Sequence, residues 1–171
     1  MIGINVRWLC QALRLVDRLD DKSYSTTPPG FAPHRAGAHL RHVLEFYQCF
    51  LDGLEKSHID YDARRRDENV ENSRAAAASA ILSIIRSLET SAALRGQFIV
   101  WVRMEDSDRG VREPFMESSI SRELQVLSSH TIHHFALIAM TLRMHGVEMD
   151  PDFGMAPSTL RYLAAKTAEA A

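Results

Sequence analysis

The sequence lacks long apolar runs, a set of paired cysteines and any excess of charge of one sign. Its longest apolar stretches, such as residues 135–140, are much shorter than the roughly 20 residues that cross a bilayer. The first residues lack the charged, apolar and small-residue regions of a secretory signal. We therefore expect a cytoplasmic protein that does not enter a membrane.

The two cysteines, Cys10 and Cys49, fall in apolar helical patterns and are interpreted as buried free thiols. Twenty basic and twenty-two acidic side chains give a net charge of −2. Nucleic-acid binding depends on a basic surface that neutralises phosphates, so no nucleic-acid partner is expected. The arginines at 64–66 are flanked by acidic residues, which favours a solvated loop, with anion binding as the lesser alternative.

Apolar residues recur at helical spacing in four long segments, and this periodicity predicts four helices. We place them at residues 6–20, 36–54, 70–88 and 119–145. A short last helix is expected at 158–165. The length of 171 residues suits one domain that spans 1–171, and four main helices predict an all-α four-helix bundle.

Three segments interrupt the helical pattern. Residues 21–33 are polar and rich in proline, and the Pro-Pro-Gly at 28–30 excludes a helix there. Residues 59–62 are interpreted as a loop. Residues 98–102 are β-branched and aromatic and precede a turn-like segment at 106–110, so we expect a small hairpin or an ordered loop before the fourth helix.

Three large aromatic residues, Trp8, Trp101 and Phe153, are expected to fill the core rather than to line a pocket. The third and fourth helices carry more apolar residues than one buried face needs, so a homodimer is a further expectation.

Two histidines of the fourth helix share one face. On a helical wheel centred on Ile138, with about 100° per residue, His134 lies about 40° and His130 about 80° from the centre, whereas His133 lies about 140° away. Side chains four residues apart are neighbours, and neutral imidazole is the commonest metal ligand. The pair is therefore a candidate metal site, with hydrogen-bonded core histidines as the alternative. Thr131 stands where zinc proteases place a glutamate, which excludes that reaction.

A third ligand is available on the second helix, which carries His39 and His42. The helical wheel mildly favours His39, which lies nearer the apolar face. Glu45 is suited to orient an imidazole or to accept a proton, and Tyr47 and Glu123 are further candidate acid–base groups. A purely structural role is the alternative for each of these three, so the catalytic residues stay unknown.

The residues 37–44, GAHLRHVL, followed by HTIHH at 130–134, resemble the DinB/YfiT-like metalloenzyme superfamily, and the resemblance covers nearly the whole chain. It implies a four-helix bundle with a three-histidine metal site. One ligand of that site comes from the second helix and two come from the fourth helix.

Carried over by position, the pair on the fourth helix is His130 and His134. The family's G-x-x-L-x-H pattern matches Gly37, Leu40 and His42, so the resemblance implies His42 as the third ligand. His39 is then either an alternate metal ligand or a residue that contacts one of the three ligands.

The resemblance also implies a function. Relatives include hydrolases and thiol-dependent transferases and isomerases, although many carry Arg-Gly-Gln where this chain has FAL at 135–137. We expect a divalent metal, zinc or nickel, a low-molecular-weight thiol as a candidate cofactor, and a small-molecule substrate. The predicted function is a metal-dependent hydrolase or thiol S-transferase/isomerase. The alternative is a non-catalytic helical bundle that binds a partner or has a structural role.

Overall fold

The computed structural model describes residues 1–30, 34–96, 99–104 and 114–169. The long helices are α1 (Ile2–Arg18), then α3 (Ala36–Leu54), α5 (Arg74–Thr90) and α6 (Ile120–Met144). The shorter helices are α2 (Asp21–Ser25), α4 (Glu68–Asn72) and α7 (Pro157–Glu169), and a 3₁₀ turn covers Ala92–Arg95. The strands are β1 (His58–Asp60), β2 (Ile99–Arg103) and β3 (Met116–Ser119).

The four long helices form a bundle, which confirms the predicted fold class. Helix α3 packs against α5 and α6, and α1 packs against the same two helices. Consecutive long helices α1 and α3 therefore occupy opposite corners, as do α5 and α6. The chain crosses the bundle diagonally twice, so the fold is not a simple up-down-up-down arrangement.

The long helices follow the predicted periodicity with one break, and the short helix α2 lies within the segment 21–33 that was expected to interrupt the helical pattern. Helix α3 covers 36–54 as predicted, and α6 and α7 contain most of the predicted segments. Helix α1 begins four residues before the predicted start, since Ile2 and Ile4 pack against the core. The predicted helix at 70–88 is wrong as one element, because Ser73 has an extended backbone and its hydroxyl caps α5 by accepting a hydrogen bond from the Ala76 N–H.

The predicted hairpin is present, and it belongs to a larger sheet. Strands β2 and β3 pair antiparallel, and β1 pairs parallel with β2. Residues 59–60 therefore lie in a strand and not in the predicted loop, while Phe98 and the predicted turn at 106–110 lie outside the described residues.

The aromatic residues expected in the core divide into two groups. Trp8 and Phe153 are buried, and Phe153 stacks on Phe135 with ring centroids 4.7 Å apart. The expectation is wrong for Trp101, which is 39% exposed because it points away from the buried face of β2 that carries Val100. No helix in the described ranges is long and apolar enough to span a bilayer.

A glycine lets α4 approach the first turn of α3. A Cβ atom on Gly37 would lie 2.1 Å from the Glu71 carbonyl oxygen and 2.9 Å from the Tyr24 ring. The Tyr24 hydroxyl holds this junction closed by donating to the Val70 carbonyl at 2.6 Å. The turn of α3 that carries His39 and His42 therefore comes directly after the tight contact between Gly37 and α4.

Candidate metal centre

Three histidines converge where α3 packs on α6. One ligand atom each from His42, His130 and His134 lies within 4.8 Å of the others. The Nε2 atoms of His42 and His130 are 2.9 Å apart. The ring centroid of His134 lies 4.5 Å from that of His42 and 4.6 Å from that of His130. The structure thus brings together the three residues to which the family resemblance pointed.

The helical periodicity of α6 explains which histidines face this site. Ile138 is buried, His130 and His134 are half-buried, and His133 is exposed, as the helical wheel predicts. Thr131 points into the core, where its hydroxyl donates to the Leu127 carbonyl at 2.7 Å.

His39 lies beside the three histidines, not among them. Its Nδ1 is 3.1 Å from the Nδ1 of His134, and its Nε2 is 3.1 Å from the Nδ1 of His34. The rings of His34 and His39 stack in parallel. A row of imidazoles therefore extends from His134 to His34, a residue that the sequence analysis did not single out because it precedes the helix and follows no helical spacing.

An aromatic wall closes one side of the site. Phe46, one turn after His42 on α3, stacks on His130 with ring centroids 4.2 Å apart. Tyr61 stacks on Phe46 in turn. Both residues were missed at the sequence level, although the spacing of four between His42 and Phe46 places them on one helix face.

The three candidate acid–base residues all have structural partners. The Glu45 carboxylate is buried and accepts a hydrogen bond from the Asp67 N–H at 2.8 Å. The Tyr47 hydroxyl donates to Asn5 Oδ1 at 2.7 Å, and burial raises the pKa of Tyr47. The buried Glu123 carboxylate accepts from the Tyr61 hydroxyl at 2.9 Å and from Ser118. None of these hydrogen bonds connects to the histidines.

The imidazoles are held neutral. Burial, with the neighbouring histidines, lowers the pKa of His134 to about 2, and burial with the charge of Arg64 lowers the pKa of His42 to about 3. Burial lowers the pKa of both His39 and His130 to about 4. At neutral pH each ring therefore keeps a nitrogen lone pair for a metal ion or a hydrogen bond.

One arginine of the cluster at 64–66 reaches the site. The Arg64 side chain donates from Nε to the Tyr61 carbonyl at 3.1 Å, and its Nη1 contacts His42 Nδ1. Its guanidinium carbon lies 5.3 Å from the centre of the Phe46 ring. Arg65 and Arg66 are exposed, as expected for the predicted solvated loop. The prediction is wrong for Arg64, whose side chain is half-buried beside His42.

The donor set fits a divalent ion. Neutral imidazoles suit zinc and nickel, and nitrogens about 2.0–2.1 Å from a tetrahedral zinc ion stand about 3.3 Å apart. The 2.9 Å between the Nε2 atoms of His42 and His130 is close to that separation. Over the ranges that the structure describes, the ligand group consists of these three histidines, without a cysteine or carboxylate as a fourth member. Three protein ligands are typical of sites that keep one coordination position open.

Comparisons with known proteins identify a family to which this chain is similar. A family model described as the DinB superfamily matches residues 11–138, a span that contains all three histidines. FK506-binding protein 5 of Rhizopus delemar is 33% identical over 107 residues, which are 61% of this chain and 27% of that protein. The chain therefore matches only about a quarter of that relative's length. No solved structure matches the chain significantly.

Proposed function

Because the chain belongs to the DinB superfamily, we propose that it is a metal-dependent enzyme of small-molecule metabolism that acts as a hydrolase or as a thiol S-transferase or isomerase. One observation carries the proposal: three neutral imidazoles from α3 and α6 present ligand atoms within 4.8 Å of one another. Zinc or nickel is the proposed ion, since both suit nitrogen ligands.

His42, His130 and His134 hold the ion through one ring nitrogen each, with Nε2 used by His42 and His130. His39 orients His134 through the 3.1 Å contact between their Nδ1 atoms. One assignment of protons satisfies the row: His134 Nδ1–H donates to His39, and His39 Nε2–H donates to His34. This assignment leaves the Nε2 lone pair of His134 for the metal.

When bound, a divalent ion supplies Lewis acidity that activates water or a low-molecular-weight thiol as a nucleophile. The residues of the chain shape the space around it. Phe46 and Tyr61 form an apolar side that keeps water away from His130. The hydrolase and the transferase use the same ligands and differ only in the nucleophile.

The proposal also covers the cellular location and the oligomeric state of the protein. We place it in the cytoplasm, as a homodimer. The exposed apolar side chains of Met140 and Met144, one turn apart on α6, support an interface between copies.

A second candidate function is a non-catalytic bundle that binds a partner or has a structural role. The observation in its favour is that Glu45, Tyr47 and Glu123 all have structural partners, none of which is a histidine of the site. A three-ligand site with an open position favours the enzyme.

The deciding experiment measures metal content by mass spectrometry on untagged protein. The native protein and the His133→Ala control are expected to hold about one equivalent of zinc or nickel, as for a single three-ligand site. The His130→Ala/His134→Ala double variant is expected to lose the metal and to keep its helical circular dichroism. Absence of metal from the native protein, even after reconstitution with zinc or nickel, would overturn the proposal. With the metal established, assays with thiols and electrophiles separate the two reactions.

A further inference from the structure

We propose that Arg64 binds the carboxylate of the small molecule that reaches the open side of the metal centre, so that the substrate class is carboxylate-bearing. This inference rests on the function proposed above and deepens it. It is carried by the position and the contacts of one guanidinium group.

Arg64 differs from the other half-buried arginines in its partners. Arg35 and Arg41 both pair with the Glu71 carboxylate, Arg74 pairs with Asp21, and Arg103 pairs with Asp60. Within the described part of the chain, no carboxylate forms an ion pair with Arg64. A guanidinium stays protonated at any physiological pH, so this positive charge stands beside His42 without an acidic partner among the described residues.

The buried acids nearest the site are engaged by groups other than Arg64. Glu45 accepts from the Asp67 N–H and lies 3.7 Å from the Arg41 guanidinium, and Glu71 pairs with two arginines. Glu123 accepts from two hydroxyl groups. A divalent ion and Arg64 together carry three positive charges, and the ligand set is made of neutral imidazoles. An anion supplied from outside would offset this charge.

The hydrogen-bond chemistry of His42 makes Arg64 available to such an anion. In the contact seen here, His42 Nδ1 accepts from Arg64 Nη1, because a guanidinium only donates. A neutral imidazole that binds a metal through Nε2 carries its proton on Nδ1, which then cannot accept. This contact and metal ligation by His42 Nε2 therefore exclude each other, and metal loading releases Nη1.

The released guanidinium is still held in place. Its Nε donates to the Tyr61 carbonyl, and the Phe46 ring lies beneath it. Four of the five N–H donors of an arginine are on Nη1 and Nη2, and these match the two oxygens of a carboxylate. The stacked position over Phe46 places them beside the histidines.

The test uses the full-length protein loaded with cobalt(II), whose visible absorption reports on the metal's surroundings, and acetate as the probe. Acetate is expected to shift the spectrum of the native protein in a saturable way, whereas neutral acetamide does not. In Arg64→Gln the apparent affinity for acetate should fall about 10- to 100-fold, the usual effect of losing a charge-assisted hydrogen bond. Arg64→Lys keeps the charge without the paired donors and should lie between the two.

Arg65→Gln is the matched control, because Arg65 is exposed and pairs with Asp52 on the surface. It should bind acetate as the native protein does. The cobalt spectrum before acetate is added reports folding and loading in every variant. Unchanged acetate affinity in a cobalt-loaded Arg64→Gln or Arg64→Lys variant would overturn this inference and leave the metal site standing. Failure of the native protein to bind cobalt would overturn both.

Discussion

His39 and His134 face each other through their Nδ1 atoms, 3.1 Å apart, across the contact between α3 and α6. Both rings are neutral at pH 7, so one nitrogen donates and the other accepts. The orientation of a proposed metal ligand on one helix therefore depends on a residue that is not a ligand on the other.

Replacing His39 is expected to weaken metal binding without abolishing it. The loss of a residue that orients a ligand typically costs 10- to 100-fold in metal affinity, so we expect about that loss in His39→Ala. His42→Ala should lose far more, and the exposed His133→Ala should change little. Competition with a chromophoric chelator measures all three. Equal losses in His39→Ala and His42→Ala would contradict the proposed roles.

Replacing Gly37 by alanine is expected to destabilise the protein by about 1–3 kcal/mol, because the new Cβ would overlap the Glu71 carbonyl oxygen and force α4 away from α3. Gly3→Ala is the matched control in α1, where nothing lies within 4 Å of the added atom. That change should stabilise the protein slightly, by less than the roughly 0.5–1 kcal/mol typical of a helix interior, because Gly3 lies in the first turn of α1. Urea unfolding of both variants gives the comparison. A Gly37→Ala protein as stable as the native one would show that the junction can open freely.

Removing the hydroxyl of Tyr47 tests whether this residue is structural. In Tyr47→Phe the buried Asn5 Oδ1 loses its donor, so we expect a loss of about 1–3 kcal/mol in the free energy of unfolding. Metal content should stay unchanged. Tyr162→Phe, at an exposed position of α7, should alter neither quantity. A Tyr47→Phe variant of native stability that has lost its activity would instead assign this hydroxyl to catalysis.

The metal-free protein is expected to lose stability in mild acid. The pKa values of His42 and His134 are about 3 and about 2 in the fold, against about 6.5 in an unfolded chain, so the unfolded state binds more protons below pH 6.5. The stability that these two neutral rings contribute is therefore fully present above pH 6.5, and it is lost progressively as the pH falls towards about 3 and about 2.

Urea midpoints at pH 7.5 and pH 5.0 measure this effect on metal-free protein. The decline should be smaller in a His42→Gln/His134→Gln variant, because glutamine does not titrate. An equal decline in both proteins would assign the acid sensitivity to other groups.

The parts of the fold that depend on helical periodicity were predictable. Helix α3 has the predicted bounds, and the wheel of α6 placed His130 and His134 inward and His133 outward. The division at Ser73 was not predictable, because the apolar pattern continues across it. Strand β1 has three residues, too few to show an alternation, and its pairing with β2 depends on chain segments about forty residues apart.

The site was predictable in its residue types and less so in its surroundings. Helical periodicity favoured His39 as the third ligand, whereas the structure brings His42 next to His130 and His134. A helical wheel describes one helix alone, and the composition of the site depends on how two helices cross. Arg64 was hidden among like charges at 64–66. Only the loop that follows β1 turns its side chain towards Phe46 and away from solvent.

The sequence separation across the site has a consequence for folding kinetics. His42 and His130 are 88 residues apart, on helices that pack only after the chain has crossed the bundle diagonally. Non-local contacts of this kind form late, because the entropy of closing a long loop has to be offset first. A partly folded chain therefore offers an incoming ion at most a local pair, such as His130 and His134 on α6. Full affinity for the proposed ion requires the complete native topology, so metal uptake would mark the end of folding and would then act as a reversible cross-link that slows unfolding.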